Sequence, residues 1–373
     1  MRIQTSRHLH KRSLKAFMLS VSIVTALTGS AAAQVDGLPV QPSITSAMAT
    51  QSVMLSVARA GHRLVAVGER GFIIASDDNG VTWRQVSSPV SMTLVKIRFI
   101  DDLQGWAVGH AGVVLHSQDG GLTWTKQLDG VQAAEIELQQ ASLATQNSDD
   151  AARAQERLAQ AQQLVDEGPD KPLLDLLFLD GKNGLVVGAY GLAFVTHDGG
   201  LSWQSIRTRI DNPSGLHLYS IERVGADLFI AGEQGTLLRS SDEGQTFESL
   251  ASPYEGTTFG LQATDSGSIM AFGLRGKAFE SRDRGDTWQR LDTLQPVTLT
   301  SGLRLDDGSV LLADESGRVL RFADGDTKAS VLQVAQPSYF TGMAQAANGN
   351  LIISSARGML SSAVAVESPE HDQ

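Results

Sequence analysis

The sequence predicts an all-β fold, a seven-bladed β-propeller with an inserted α-helical hairpin. Three observations predict it. A pair of glycines separated by two residues recurs along the chain, a polar box ending in an aromatic residue follows it in five of seven units, and the apolar runs between them have strand length. A period of about 41 residues with four short strands per unit is typical of propeller blades.

The glycine pair sets the period of the repeat. Full pairs and their two degenerate successors occur at Gly68/Gly71, Gly109/Gly112, Gly188/Gly191, Gly232/Gly235, Gly273/Gly276, Asp314/Gly317 and Ser355/Gly358. Successive first positions are 41, 79, 44, 41, 41 and 41 residues apart. The one long step predicts an insertion between the second and third units.

The polar box, S-x-D-x-G-x-T-W, reads as a turn between the third and fourth strands of a blade. Its aspartate can accept hydrogen bonds from backbone N–H groups, its glycine can take a positive φ, and its aromatic ring can be buried between blades. The aspartates are Asp78, Asp119, Asp198, Asp242 and Asp283. A catalytic acid is needed once and a turn residue in every blade, so we interpret these aspartates as structural.

The first 33 residues have the pattern of a secretory signal peptide. A basic segment precedes an apolar core, and Ala31, Ala32 and Ala33 fit cleavage before Gln34. An uncleaved anchor is the alternative, although the core of about 14 residues is short for a membrane span. We expect export to a periplasm, or to a thylakoid lumen in a phototroph, of a protein that is soluble after cleavage. Residues 34–366 would form the propeller and residues 367–373 a disordered tail.

Charge and composition exclude several classes of function. Cleavage would remove five of the 30 basic residues and no acidic one, leaving 25 against 41 acidic residues and a net charge of −16. Such an acidic chain is a poor nucleic-acid binder. The sequence contains no cysteine, which excludes thiolate metal sites, and its histidines lack metal-ligand spacing. We therefore expect no metal and no cofactor.

The order of strands predicts how the ring closes. Inner strands are expected to begin near Met54, Leu94, Leu173, His217, Thr258, Leu299 and Tyr339. The seventh unit then runs out of chain before a fourth strand. We expect a segment within residues 38–49 to supply that strand, since closure removes exposed sheet edges.

The insertion, residues 131–168, reads as two helices. It is rich in alanine, glutamine, leucine and glutamate, with Ser148 as the predicted N-cap of the second helix and Gly168-Pro169 as its end. Ile136 with Leu143, and Leu158 with Val165, give each helix a thin apolar stripe. The hairpin is either a solvated decoration or an arm that docks a partner.

The glycine-pair turns should ring the face opposite the polar boxes, because the two kinds of turn lie at opposite ends of a blade. The helical hairpin links the fourth strand of one blade to the first strand of the next, so we expect it to stand on the glycine-pair face. Arg70, Arg275 and Arg357 share one position of these turns. Arg70 and Arg357 belong to adjoining blades, so we expect them to be neighbours. Arginine forks bind carboxylates well, which makes this cluster a candidate partner-binding site. The alternative is that exposed turns merely tolerate arginine.

Together, these motifs resemble a known family. The polar box is the Asp-box of bacterial sialidase-type repeats, and its combination with V-G-x-x-G upstream resembles the photosystem II stability/assembly factor family over residues 50–365. The resemblance implies a non-enzymatic seven-bladed propeller that holds a membrane-protein client through an arginine patch. The helical insertion departs from the pattern expected of that family, so the client could be photosystem II or another complex such as an envelope transporter.

We therefore expect a monomeric, exported, non-catalytic scaffold that helps to assemble or stabilise a membrane complex. The enzyme alternative is a sialidase-like glycosidase, which would need a tyrosine nucleophile, an acid/base aspartate and an arginine triad. The four tyrosines have no recognisable catalytic context, and no Arg-Ile-Pro motif occurs. A carbohydrate-binding propeller is the third class, and an aromatic content of 6% weighs against it.

Overall fold

The computed structural model describes residues 41–147, 150–334 and 336–363. These residues form seven antiparallel sheets, six of four strands and one of three. The inner strand of each sheet packs against the inner strand of the next, and that of the last sheet packs against that of the first. This closed ring of sheets is a seven-bladed β-propeller, so the predicted fold class is confirmed.

Within each blade the strands follow one another from the axis outwards. Blades one to three contain β1 (Met54–Ala60), β2 (Arg63–Gly68), β3 (Ile73–Ser76), β4 (Arg84–Val86), β5 (Leu94–Phe99), β6 (Gly105–Gly109), β7 (Val114–Ser117), β8 (Thr125–Leu128), β9 (Leu173–Phe178), β10 (Gly184–Gly188), β11 (Ala193–Thr196) and β12 (Gln204–Ser205). Blades four to seven contain β13 (Leu218–Val224), β14 (Asp227–Gly232), β15 (Leu237–Ser240), β16 (Glu248–Ser249), β17 (Thr258–Ala263), β18 (Ile269–Gly273), β19 (Ala278–Ser281), β20 (Gln289–Arg290), β21 (Leu299–Arg304), β22 (Val310–Asp314), β23 (Val319–Phe322), β24 (Ser330–Leu332), β25 (Phe340–Gln345), β26 (Leu351–Ser355) and β27 (Gly358–Ser362).

The second strands show why the sequence reads as unbroken apolar runs. Every residue of β6 and of β10 is buried, and the same holds for β18, β22 and β26. A blade is covered by a neighbour on both faces, so its middle strands cannot alternate between apolar and polar side chains.

The core is divided among the gaps between blades. Seven hydrophobic clusters are found in the described residues, and each joins two neighbouring blades. Ile74 of the first blade and Ile352 of the last, for example, belong to one cluster and are both fully buried. Burial of a leucine, isoleucine or phenylalanine stabilises a fold by about 1.5–3 kcal/mol. Each blade therefore depends on its neighbours for stability.

The insertion forms the predicted helical hairpin, with α1 spanning Gly130–Asn147 and α2 spanning Ala151–Glu167, packed against each other. The predicted apolar stripe is only partly right, because Leu143 is exposed and Ile136 is partly buried. The buried side chains of the two helices are instead mostly alanines, namely Ala133, Ala134, Ala141, Ala154 and Ala161. Small side chains allow close helix packing, which a search for large apolar residues overlooks.

The ends of α2 correct one prediction and confirm another. Asp150, not Ser148, is the N-cap, and its carboxylate accepts a hydrogen bond from the Arg153 amide at 3.0 Å. An ionised cap also interacts favourably with the positive end of the helix. The helix ends as expected at Gly168, which has a φ of +85° and donates its N–H to the Val165 carbonyl.

A buried polar contact attaches the hairpin to blade three. Glu137 of α1 is fully buried, forms an ion pair with Arg157 of α2 at 3.1 Å, and accepts a hydrogen bond from the Ser205 hydroxyl of β12. Arg207 approaches the same carboxylate at 3.9 Å. A buried carboxylate is costly unless it is paired and hydrogen-bonded. These partners therefore hold α1 against the outer strand of blade three.

The N-terminal segment differs from the expected closing strand. Residues 41–49 form no strand with blade seven. The Ser43 amide donates to the Ser88 carbonyl, and the Gln85 side chain bonds both the Ser46 amide and the Ile44 carbonyl. This amide side chain acts like a short piece of strand backbone and holds the segment on blade one. Residues 38–40, the predicted signal peptide and the predicted tail lie outside the described residues.

Candidate functional site

The polar boxes are closed hydrogen-bonded turns. In blade one the Asp78 carboxylate accepts bonds from the Ser76 hydroxyl at 2.7 Å, the Thr82 amide at 2.8 Å and the Thr82 hydroxyl at 2.6 Å. The Gly80 amide donates to the Ser76 hydroxyl oxygen. The same pattern surrounds Asp119, Asp198, Asp242 and Asp283.

These hydrogen bonds keep the box carboxylates ionised. Bonds from Thr82, Ser202 and Thr287 lower the pKa of Asp78, Asp198 and Asp283 to about 2. At Asp242 burial is the largest single influence and raises the pKa, yet the hydrogen bonds from Thr246 and Ser240 still lower it to about 2. The pKa of Asp119 is lowered against the same opposition from burial. A general acid or base works best with a pKa near the operating pH, so these groups are poorly suited to proton transfer.

The box aromatics fill the gaps between blades. Trp124 belongs to the cluster between blades one and two, and Trp203 and Phe247 occupy the next two gaps. Trp83 and Trp288 pack at the edges of two further clusters. In each case the ring packs against the preceding blade. The boxes therefore join blades as well as turning the chain, and we call the end of the propeller that they occupy the box face.

The glycine-pair turns form the opposite end, which we call the glycine-turn face. A side chain on Gly68 would overlap the Val53 carbonyl oxygen, and the next residue, Glu69, donates its N–H to that oxygen at 3.1 Å. The equivalent bond occurs in all seven blades. The hairpin begins here too, because Gly112 packs against Gly130 at the start of α1. The hairpin therefore stands on the glycine-turn face, as the order of the strands predicts.

The middle position of these turns is conformationally unusual. Five non-glycine residues there have a φ between +49° and +58°, namely Arg70, Ala111, Tyr190, Gln234 and Arg275. The left-handed region costs a residue with a side chain about 1 kcal/mol. Because the second glycine follows immediately, the chain reverses sharply and the middle side chain stands away from the sheet.

The three predicted arginines all lie on the glycine-turn face with exposed side chains. Within the described part of the chain, none of the three guanidinium groups forms an ion pair or a hydrogen bond. Arg357 differs in backbone, since positive φ falls on Gly358 instead. The N-terminal segment touches both adjoining turns: the Ser43 hydroxyl donates to the Arg70 carbonyl, and Gly358 packs against residues 50–51.

An aromatic ladder on this face was not predicted. It consists of Tyr190, His217, Tyr219 and Phe259, with successive ring centroids 4.8, 6.2 and 5.2 Å apart. Lys171, which follows the hairpin, places its ammonium 5.2 Å from the centre of the Tyr190 ring. The ladder therefore runs across blades three, four and five, from the base of the hairpin to the mouth of the central channel.

One carboxylate holds the polar ends of the ladder. Glu233 accepts a hydrogen bond from the His217 amide at 3.0 Å and lies 3.2 Å from His217 Nδ1. Burial, and then the charge and hydrogen bond of Glu233, raise the pKa of Tyr219. Glu233 thus binds polar atoms of His217 and Tyr219 at one side of the ladder, while all four aromatic residues remain at least partly exposed.

The central channel is a cavity of about 620 Å³ lined by the inner strands of all seven blades. Charged side chains of blades one and six line it, including Arg59 and Asp306, which form an ion pair at 3.9 Å. A second charged group lies on blades two to four. Arg98 donates to Asp175 at 2.9 Å and to Glu222 at 3.3 Å, and these ion pairs raise the pKa of Arg98 although burial opposes its charge. Although Asp175 favours the charged form, burial and the nearby Arg98 lower the pKa of Lys96. Most of this charge is therefore neutralised inside the protein.

The aromatic ladder and the charged group in the channel could have been found by comparing residues at the same position of each inner strand. Tyr219 and Phe259 both occupy the second residue of their strands, and Lys96 and Asp175 both occupy the third. Elsewhere the third residue is small, as at Ser56 and Ser220, whose hydroxyls accept bonds from the next blade. An alignment of the inner strands by position would have shown both exceptions.

The described residues lack two features that would point to other functions. Their helices include none that is long and apolar enough to cross a membrane. No group of three or more histidine or acidic side chains in the same residues could hold a metal ion.

Known proteins similar to this chain share its fold. A YCF48 structure solved with a D1 peptide is 18% identical, with a TM-score of 0.60 over 89% of this chain and 99% of that one. YCF48 from Cyanidioschyzon merolae is 15% identical, with a TM-score of 0.60 over 84% and 96%. A streptogramin B lyase, 10% identical with a TM-score of 0.61 over 83% and 93%, shows that the same fold also serves enzymes.

Sequence similarity is narrower and more specific. The photosystem II assembly lipoprotein Ycf48 of Synechococcus sp. (strain CC9902) is 34% identical over 77 residues, which is 21% of this chain and only 23% of that relative. The family model for the photosynthesis system II assembly factor YCF48 matches residues 46–149 and 154–360, and so runs through both helices of the insertion. Because this match covers most of the sequence, the chain belongs to the photosynthesis system II assembly factor YCF48 family.

Proposed function

We propose that this protein is a non-catalytic, exported scaffold whose glycine-turn face binds a membrane-protein client and helps to assemble or stabilise its complex. The observation that carries the proposal is the set of three exposed arginines without ion-pair partners on that face. Membership of an assembly-factor family, with one similar protein solved together with a D1 peptide, supports a polypeptide as the ligand.

The chemistry of the arginines favours an acidic segment of the client. A guanidinium presents paired N–H donors that match a carboxylate, and it keeps its charge at any physiological pH. The chain has 41 acidic and 30 basic residues, so these three exposed arginines present carboxylate-binding groups on a protein of net negative charge. A photosystem II-type complex is the client we favour, with an envelope transporter as the alternative. No nucleic acid is expected to bind.

The pKa values of the box aspartates and of Tyr219 weigh against catalysis. The box carboxylates have lowered pKa values, and the pKa of Tyr219 is raised rather than lowered. A tyrosine nucleophile needs activation towards its ionised form, which is the opposite of what burial and Glu233 do here. We therefore place the sialidase-like and carbohydrate-binding alternatives second.

Export is proposed from the signal-like residues 1–33, and the Synechococcus relative is named a lipoprotein. We place the protein in the periplasm, or in the thylakoid lumen of a phototroph, as a monomer. Mass spectrometry of the protein secreted by its own organism would test cleavage before Gln34.

Charge reversal tests the arginine site. The variant Arg70→Glu, Arg275→Glu and Arg357→Glu should reduce recovery of the client membrane complex at least tenfold in affinity purification from the native envelope. Repulsion of client carboxylates is the reason for the loss. Thermal unfolding should be nearly unchanged, since the three side chains are exposed and unpaired.

A charge-matched control uses Lys182→Glu, Arg290→Glu and Lys328→Glu, three exposed basic residues outside the glycine-turn face. This control should retain the client. Full recovery of the client with the first variant would show that the three arginines do not bind it. Equal loss with both variants would show that the overall net charge, and not these three residues, controls binding.

A further inference from the structure

We propose that the aromatic ladder is a second, apolar part of the client-binding surface. Its ligand is an extended polypeptide segment with aromatic or large apolar side chains and an acidic residue at the end that reaches blade five. This inference rests on the proposed function, because it names the chemistry of the client segment that the scaffold holds.

The length of the ladder fits a short extended segment. Three centroid steps of 4.8, 6.2 and 5.2 Å lead from Tyr190 to Phe259. An extended chain rises about 3.3 Å per residue, so about five residues span this path. The ladder crosses three blades, so the client segment needs only to be extended and does not have to follow the 41-residue repeat of the propeller.

The ladder is prepared for binding before any ligand arrives. Tyr190 is 51% exposed although its backbone is held at a φ of +57°. Glu233 fixes His217 and Tyr219 from one side, so their rings lose little freedom on binding. Rigid aromatic side chains give large contact area at low entropic cost, and tyrosine is enriched among the residues that dominate binding energy.

The charges at the two ends of the ladder set the direction of the ligand. At the hairpin end, Lys171 is paired with Glu167 at 2.9 Å and with Asp170, and its side chain is only 12% exposed. At the other end, Gly273 packs against the backbone nitrogen of Phe259, which places the turn that carries Arg275 next to the strand backbone from which the last ring projects. Arg275 is exposed and has no ion-pair partner in the described residues. One end is therefore neutralised and the other offers a free cation, which calls for a carboxylate there.

Site-specific photocrosslinking tests the ladder in the full-length protein. A benzoyl-phenylalanine is placed at position 190, at position 275, or at position 201 on the box face, where Leu201 is 85% exposed. The protein is irradiated in its native envelope, and the crosslinked peptides are identified by mass spectrometry. We expect positions 190 and 275 to capture one segment of one membrane protein. The residues captured at 275 should include an acid, those captured at 190 should be apolar or aromatic, and position 201 should capture neither.

Other outcomes separate this inference from the proposed function. Capture of the client at 275 without capture at 190 would overturn the ladder and leave the scaffold intact. Capture of a second copy of this chain at 190 would overturn the ladder in favour of self-association. Failure to capture a membrane protein at any position would overturn both proposals.

Two substitutions measure the apolar contribution with the captured segment as a synthetic peptide. Tyr190→Ala should weaken binding at least tenfold, and the matched Leu201→Ala on the box face should not change it. Salt screens the arginine contact but not the aromatic one. The fold-loss from Tyr190→Ala should therefore persist at high ionic strength, and binding that is unchanged in this variant would reject the ladder.

Discussion

The two ends of the propeller are both built from turns that recur every 41 residues or so, yet they differ in what repeats. On the box face the side chains themselves recur, and each carboxylate is fully engaged within its own turn. On the glycine-turn face only the backbone geometry recurs, and the middle side chain varies from arginine to alanine to tyrosine. A repeated side chain thus indicates a structural requirement, whereas a varied side chain on a repeated backbone is free to serve binding.

The largest expected effect comes from changing the recurring backbone of a turn on the glycine-turn face. Gly71→Ala places a Cβ against the Val90 carbonyl oxygen at a φ of +68°. Both the overlap and the left-handed backbone oppose this substitution, so we expect the free energy of unfolding to fall by about 3 kcal/mol or more. Chemical denaturation measures it, with Arg70→Ala as the neighbouring control. A loss below about 0.5 kcal/mol would show that this turn backbone is not fixed.

An intermediate effect is expected from acid on the box face. Four box aspartates have pKa values lowered from 3.8 to about 2. A carboxyl with a lower pKa in the folded state contributes stability above its unfolded pKa and loses that contribution as the pH falls through its folded pKa. The melting temperature should therefore decrease between about pH 4 and pH 2, with several blades affected together.

Matched variants assign this acid response to the boxes. Asp242→Asn should lower stability at neutral pH and flatten the decline between about pH 4 and pH 2. Glu243→Gln changes a carboxylate at a variable position of the same box, which takes no part in the hydrogen bonds of Asp242, and should leave the decline unchanged. An identical profile in both variants would contradict the assignment.

The smallest effect on stability is expected at the middle position of the glycine-pair turns, where the side chain differs from blade to blade. Arg70→Gly removes an exposed side chain and relieves a φ of +55°, but it also gives the unfolded chain more freedom. These terms oppose each other, so we expect a change of less than about 0.5 kcal/mol in the free energy of unfolding. Client recovery should nevertheless decline. A large loss of stability would show that Arg70 has a structural role.

Sequence reasoning located the blades closely because the repeat is local. Five inner strands begin at the expected residue, and the other two begin one residue later, at Leu218 and Phe340. The hairpin and its placement on the glycine-turn face were also predicted, since helix formers and strand order suffice for both. The placement of the three arginines as exposed turn residues followed from the same periodicity.

Features assembled from distant parts of the chain could not be predicted in this way. Arg98 and Asp175 are 77 residues apart, and the ladder joins residues of three blades. Their contacts depend on the rotation between blades, which no local pattern encodes. The N-terminal segment was misplaced for a related reason. It is attached by the side chain of Gln85 and by bonds from Ser43 to Ser88 and Arg70, and not by strand pairing with blade seven.

The outer strands of blades three, four and five have only two residues each, β12, β16 and β20. So little unpaired backbone offers a foreign strand few hydrogen bonds. The rim of these blades is therefore a poor template for fibre growth, even though their second strands are fully buried. Lengthening those outer strands would expose more unpaired backbone and should promote aggregation of the propeller.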